Sequence, residues 1–352
     1  MKRLIVFLIA LLASASLSAQ VVDRDILLTG DGKLFTIQTF LGSKFPELEN
    51  SSSSVIRLTI QKDEKIENVF VPASLTGGIN SDPSLAYDSA SDTIFAFWQH
   101  MPNPMSSELL FCSYHDGQWS EPTSIDAAAF HIRFHLRIGV TKVESAFDDA
   151  GEPIMQPQLI IHAIWWDQTG IGTGESGRYA MLVMNQQKNQ QKVEGKVVVH
   201  DLLEFADGAQ STIASVDPNF DRDFFRHPAI FESPNHQSVE VIFANWQTNR
   251  FERVQIKPRR DLQPNGVLHV PVGVHRGEFD GPPQFNRSES SKISVVSSPG
   301  SANYGFYFTQ SGRLMYLSYM NGRWSAQKSV ALSENLSMET AVEALRKLVS
   351  SE

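Results

Sequence analysis

Two distant stretches of the chain read almost alike: Leu110-Phe111-Cys112-Ser113-Tyr114-His115-Asp116-Gly117-Gln118-Trp119-Ser120 and Met315-Tyr316-Leu317-Ser318-Tyr319-Met320-Asn321-Gly322-Arg323-Trp324-Ser325. Asp-Gly and Asn-Gly supply the positive-φ pair of a type I′ turn, and the flanking aromatic and aliphatic residues suit strands, so each stretch predicts a β-hairpin. One pattern, Ser-Tyr-x-Asp/Asn-Gly-x-Trp-Ser, used at two such places means that the chain repeats one all-β unit.

Outward from the hairpins, the same order of strands recurs. The best-formed copy opens at Asp82-Pro83-Ser84-Leu85-Ala86-Tyr87-Asp88, turns at 89–92, runs on as Ile94-Phe95-Ala96-Phe97-Trp98-Gln99 and closes through the Asp116-Gly117 hairpin to Asp126. Another copy opens at Arg226-His227-Pro228 and passes through Val241 to Gln247, Phe251 to Ile256 and Val267 to Val272. A further one runs from Ile293 through Phe306 to Gln310 and into the Asn321-Gly322 hairpin. A longer copy lies between the first two, from Arg137 through Ile160 to Asp167 and on to Val199, and a weaker one precedes them all, from Ile26 to Pro72. The second strand of these units is apolar on both faces, unlike a sheet with one wet side, so both faces must be covered. Four-stranded units that bury both faces against their neighbours, repeated around an axis, describe a β-propeller; a β-sandwich would show clearer in/out alternation. The expected fold is all-β, a propeller of five four-stranded blades over residues 20–332, followed by a short C-terminal α-helix at 333–352. That helix is read from Met338, Val342, Leu345 and Val349 at helical spacing, with Ser337 placed to cap it, and either covers a sheet edge or docks another protein.

A first strand opening with Pro, an Asp-bearing turn, a second strand ending in Trp and then Ser-x-x-Asp-Gly-x-Trp-Ser resembles the blades of bacterial sialidase-like propellers, the bacterial neuraminidase repeat group. The Asp box of that group is Ser-x-Asp-x-Gly-x-Thr-Trp; here Trp119 and Trp324 stand two places after Gly117 and Gly322, and the acidic or amide residue directly precedes the Gly. The resemblance touches most of residues 24–332 and implies the fold. Sialidases of the group hold the substrate carboxylate with three arginines, use a tyrosine nucleophile paired with a glutamate and an aspartate acid/base, and carry Phe/Tyr-Arg-Ile-Pro early. Phe225-Arg226-His227-Pro228 differs from that motif by one residue, but it opens a unit just as Asp82-Pro83 does, so its proline reads as part of a blade-opening pattern. No Tyr–Glu pair can be assigned from spacing.

Lys2 and Arg3 precede an apolar run from Leu4 to Leu12 and a small-residue stretch ending at Ala19, the form of a bacterial-type signal peptide over residues 1–19. The run is shorter than the ~20 residues a spanning helix needs. Export to the periplasm or the exterior is expected, without a membrane span. Cys112 is the only cysteine, so no intramolecular disulfide can form, and stability must come from packing. A formal charge of −9 argues against nucleic acid and anionic membrane as partners.

The segment Phe130 to Arg137 alternates strictly. On a regular strand, His131, Arg133, His135 and Arg137 share one face, Phe130, Ile132, Phe134 and Leu136 the other. The basic row is either a site for an anion such as a uronate, sialate or phosphate, or a solvated face paired with Glu144, Asp148 or Asp149. Trp98, Trp166 and Trp246 recur at equivalent strand ends, as inter-blade packing requires, and the residues after them, Gln99, Asp167 and Gln247, are candidates for a channel rim. Asp217, Asp221 and Asp223 lack the Gly and closing Glu of a calcium loop, and the ten histidines show no metal-ligand spacing, so neither a metal nor a cofactor is expected. Gly170 to Gly174 has no helix after it and reads as a hairpin tip.

Two functions remain in view. The favoured one is a secreted propeller that binds a glycan, particularly an acidic one, or a protein, with no catalytic residue assigned. The alternative is a glycoside hydrolase or lyase acting on an acidic glycan, which needs two or three facing carboxylates; Asp82, Glu144, Asp167 and Asp223 stand near strand ends where such a site could form.

Overall fold

The computed structural model describes residues 24–29, 33–45, 47–48, 52–62, 65–129, 131–143, 146–147, 153–155, 158–169, 175–187, 190–199, 206–207, 228–232, 237–245, 250–263, 266–282, 291–297, 303–310 and 313–331. The expected leader and C-terminal helix lie outside the described residues, as do Phe225-Arg226-His227, Glu144, Asp148, Asp149, Gly170 to Gly174, the Asp217–Asp223 cluster, Trp246 and Gln247.

The expected five blades are present, each an antiparallel meander. Blade 1 comprises β1 (Arg24–Leu28), β2 (Leu34–Leu41), β3 (Ser54–Lys62) and β4 (Lys65–Phe70). Blade 2 comprises β5 (Ile79–Asp88), β6 (Thr93–Asn103), β7 (Ser106–His115) and β8 (Gln118–Trp119), with β9 (Thr123–Ala129) also paired to β7. Blade 3 begins with β10 (His131–Val143); the small pair β11 (Ala146–Phe147) and β12 (Pro153–Met155) intervenes before β13 (Gln158–Thr169), β14 (Glu175–Gln187) and β15 (Gln190–Val199). Next, β16 (Ala206–Asp207) joins the outer edge of blade 4, which is formed by β17 (Ala229–Glu232), β18 (Val239–Asn245), β19 (Arg250–Gln263) and β20 (Gly266–Asp280). Blade 5 comprises β21 (Ser294–Ser297), β22 (Tyr304–Gln310), β23 (Arg313–Met320) and β24 (Arg323–Trp324), with β25 (Lys328–Ala331) paired to β23.

The core is divided among the inter-blade interfaces, which explains why the second strands are apolar on both faces. In β6, Ile94, Ala96 and Trp98 pack with Phe35, Ile37, Ile56 and Leu58 of blade 1. The alternate residues Phe95 and Phe97 pack with Ile138, Ile161 and Trp165 of blade 3. Ile160, Ile164 and Trp166 meet Ile230, Val241 and Phe243 of blade 4, whose opposite face carries Ile242 and Phe251 against Phe306 and Leu317 of blade 5. Ile26, Leu28 and Leu34 against Tyr307 and Leu314 close the ring. Hydrogen bonds reinforce that closure: Lys292 N donates to Arg24 O at 2.9 Å and Ser294 Oγ to Ile26 O at 2.6 Å. Trp98 and Trp166 are thus core residues, as their recurrence implied.

The two repeated hairpins are built alike down to their serines. Asp116 and Gly117 have φ of 48° and 77°, Asn321 and Gly322 of 50° and 76°, the left-handed pair the turn requires. Ser120 N donates to Ser113 O and Ser325 N to Ser318 O, both at 2.8 Å. The Ser120 and Ser325 hydroxyls accept from Ser113 N and Ser318 N at 3.0 and 2.9 Å. Tyr114 packs on Trp119 at 5.0 Å and Tyr319 on Trp324 at 5.2 Å. The motif recurs because each of its side chains closes the same local unit.

Candidate functional site at the propeller axis

The first strand of each blade lies innermost, and its free edge presents unpaired backbone groups to the axis, where they must be satisfied. Asp25 of β1 does much of this. Its Oδ1 accepts from Arg137 Nη1 at 2.6 Å and Ile26 N at 2.9 Å. Its Oδ2 accepts from Ser84 Oγ at 2.8 Å and Leu85 N at 2.9 Å. Arg137 Nη2 donates to Ile293 O at 2.9 Å, so one guanidinium links blade 3 to both sides of the ring closure. A second pair lies nearer the strand starts. Lys292 Nζ stands 2.6 Å from Asp82 Oδ1 and donates to Pro83 O and Leu136 O at 2.9 and 2.8 Å, while Asp82 Oδ2 accepts from Leu136 N at 2.8 Å. Two carboxylates and two cations from four blades therefore meet at the axis, engaged with one another and with inner-strand groups, while Arg137 Nε is buried without a hydrogen-bond partner among the described residues.

Two bulges place these groups. Asp82 and His135 are non-glycine residues with positive φ, 53° and 61°, and each falls within a register shift of its inner strand, Ser81/Ser84 in β5 and Phe134/Arg137 in β10. They are equivalent positions in neighbouring blades. A bulge inserts an unpaired residue and re-aims the side chains beyond it.

The bulge also corrects the expected basic row. Arg133 pairs across the sheet with Asp167, and Arg137 with Ile164, so the two arginines project from opposite faces instead of sharing one. Arg133 turns toward blade 2, where Nη2 meets Asp126 Oδ2 at 2.6 Å and Nη1 donates to Ser107 O at 2.9 Å. Burial draws its pKa down from the ordinary arginine value, with Asp126 and Asp167 opposing that shift. Arg137 turns to the axis. Neither is solvated, with 2% and 3% exposure, and among the described residues their carboxylate partners are Asp126 and Asp25. His135 is half-buried, its ring edge-on to Trp166 at 6.4 Å. The side chain of His131 lies outside the described residues. Gln99 is buried, its amide donating to Ser107 Oγ at 3.1 Å, which places it inside the blade 2–3 junction and not on a rim. Asp167 is likewise buried, 3.5 Å from Arg178 Nε.

Beyond the Asp25–Arg137 pair, toward the ends of the inner strands, the axis opens into a cavity of about 620 Å³. Arg137 closes its inner end. Its walls are largely aliphatic, with polar groups from Thr29, Tyr87, Ser89, Glu232 and Ser294. Tyr307 is buried in the wall; its hydroxyl accepts from Leu28 N at 3.1 Å, and burial above all pushes its pKa up to about 12. A compartment of this size, mostly apolar with a few polar groups, suits one small organic ligand. Among the described residues, no group of three or more His, Cys, Asp or Glu side chains could hold a metal, and no helix is long and apolar enough to cross a membrane.

Sequence reasoning found Asp82, His135 and Arg137 but missed Asp25 and Lys292. The available signal was positional: Asp25 ends the charged run Asp23-Arg24-Asp25 just before Ile26-Leu27-Leu28, and Lys292 stands just before Ile293-Ser294-Val295-Val296.

No protein-family profile matches the chain, and no curated protein matches it. Solved structures do. An ulvan lyase, a polysaccharide lyase bound to -[GlcA(1-4)Rha3S]-, aligns with a TM-score of 0.35 and 12% identity over 87% of this chain and 70% of its own. A mutant of the NanB sialidase from Streptococcus pneumoniae aligns with a TM-score of 0.33 and 8% identity over 90% of this chain and 61% of its own. The Trypanosoma rangeli sialidase in complex with sialic acid aligns with a TM-score of 0.30 and 9% identity over 92% and 56%.

Proposed function

We propose that the chain is an exported, non-catalytic propeller that binds a saccharide in its axial cavity. The observation that carries this reading is the state of the axial carboxylates. Glycoside hydrolysis needs one carboxyl group free to give a proton and another free to attack or to activate water. Asp25 already accepts four hydrogen bonds, which fills its capacity. Asp82 is held by Lys292 and Leu136 N, and Asp167 lies against Arg178 of its own blade. Among the described residues that line the cavity Glu232 is the one carboxylate, and a single carboxylate does not make the pair.

The acidic-glycan expectation drew on His131, Arg133, His135 and Arg137 acting as one row. With both guanidinium groups engaged inside the fold, recognition passes to the hydroxyls and rings of the cavity. Hydroxyl groups and aromatic faces on an apolar wall are what a sugar ring meets favourably.

The test is a glycan array followed by calorimetric titration of each hit, with the parent protein and with Ser89→Trp. Ser89 is exposed and lines the cavity, so the substitution obstructs the cavity without entering the core. A bound saccharide whose affinity falls in Ser89→Trp and which is recovered intact supports the reading. No saccharide bound, or a bound glycan cleaved, overturns it.

A further inference from the structure

At the junction of blades 4 and 5, beside the Asn321-Gly322 turn, lies a second cavity, of about 250 Å³. It is separate from the axis and owes its form to a bulge. In the β19–β20 ladder Arg253 stands opposite Gly277 and Val254 opposite His275, so Arg276 is the inserted residue. Gly277 has a φ of 105°, which an L side chain rarely adopts, and Arg253 Nη2 ties the bulge by donating to Arg276 O at 2.9 Å. The insertion brings two arginines to one cavity wall.

Their charges are incompletely matched. Arg250 serves both nearby acids, at 3.2 Å from Glu278 and 3.3 Å from Asp280. The acceptor for Arg276 is the side-chain amide oxygen of Gln255, and among the described residues no carboxylate lies within ion-pair distance of it. Arg253 reaches a carboxylate only through a hydroxyl: it donates to Tyr304 OH, which donates to Glu240 Oε2 at 3.2 Å. Burial and the Glu240 charge push the Tyr304 pKa up to about 12, so that relay stays neutral and in place. The cavity is also lined by Glu278, which Arg250 holds, and by Phe279, Tyr304 and Tyr319 of an aromatic cluster in which Tyr319 lies 4.8 Å from Phe279 and 5.2 Å from Trp324. A planar fork of donors suits an oxyanion, and an aromatic wall suits the flat face of a ring.

We propose that this cavity binds an oxyanion borne on a sugar ring, a uronate carboxylate or a sulfate ester, with Arg276 and Arg253 on the oxyanion and Tyr319 against the ring. The site is independent of the axial reading. The full chain is titrated with D-glucuronate, a glucose sulfate ester and D-glucose, followed by calorimetry and by tryptophan emission. One or both anions bind and glucose does not, and whichever binds identifies the group recognised. Arg276→Gln, at an exposed position, lowers the affinity about tenfold, the worth of one charge-assisted hydrogen bond, without changing the unfolding midpoint. Ser89→Trp leaves the affinity unchanged, which separates this site from the axial one. Glucose binding as tightly as glucuronate, unchanged affinity in Arg276→Gln, or binding of neither anion overturns the proposal.

Discussion

Replacing Asp25 by Asn keeps the shape of the side chain at the centre of the ring and removes its charge. Asp25 is 1% exposed and the side chain of Arg137 4%, so little solvent is present to compensate. Breaking one partner of such a buried pair costs about 3–5 kcal/mol, because the surviving charge is left uncompensated. The amide also exchanges one accepting oxygen for a donor. Whichever way it turns, its NH2 faces either Arg137 and Ile26 N or Ser84 and Leu85 N. A buried donor orphaned in this way costs about 1–3 kcal/mol more. Asp25→Asn is therefore expected to lose at least about 3 kcal/mol. Arg137→Met loses a similar amount, since it strands the carboxylate instead. The double variant, which removes both charges, costs well under the sum, with a coupling of about 2 kcal/mol or more. Urea unfolding followed by tryptophan emission and circular dichroism, with slopes compared to establish that only stability has changed, measures all three. A single-variant cost below about 1 kcal/mol, or additivity within about 0.5 kcal/mol, would show that the axial pair does not tie the ring together.

Three further outcomes concern other parts of the molecule. His162 is fully buried between Thr141 Oγ1 at 2.8 Å and Tyr179 OH at 2.7 Å, and desolvation lowers its pKa from 6.5 to about 3. The unfolded chain takes up this proton below pH 6.5 and the native protein does not until about pH 3, so stability falls with decreasing pH across that window, by up to about 1.4 kcal/mol per pH unit from this residue. His162→Gln should flatten that part of the profile, and identical profiles in parent and variant would refute the assignment. Cys112 is 2% exposed and burial holds its thiol well above the ordinary value, so a disulfide reagent should label it only at the rate of unfolding; complete labelling of native protein within minutes would contradict this. Mass spectrometry of the exported protein should find Gln20 at its N-terminus, and retention of residues 1–19 would refute the leader reading.

Features set by short-range chemistry were legible in the sequence. Positive φ at Asp116-Gly117 and Asn321-Gly322 is a property of two adjacent residues, and the two-faced burial of Ile94 to Trp98 is a one-dimensional pattern. The recurrence of Trp98 and Trp166 at one strand position identified them as interface residues before their neighbours were known. Strict alternation misled at His135, because a bulge is one extra residue with no sequence mark of its own here, and it sent Arg133 and Arg137 to different blades. The same device hid the Arg253–Arg276 cavity, whose sequence shows only a Gly after an Arg in a long strand.

Turn chemistry and burial period act over a few residues, so the repeated all-β unit, its sheets covered on both faces and the number of such units could be read along the chain. Which charges meet at the centre depends on how the blades close into a ring. Arg137 finds Asp25 across 112 positions and Lys292 reaches Asp82 across 210. Those pairings exist because ring closure brings five inner strand edges to one axis, where each unpaired backbone group and each buried charge must find a partner in another blade.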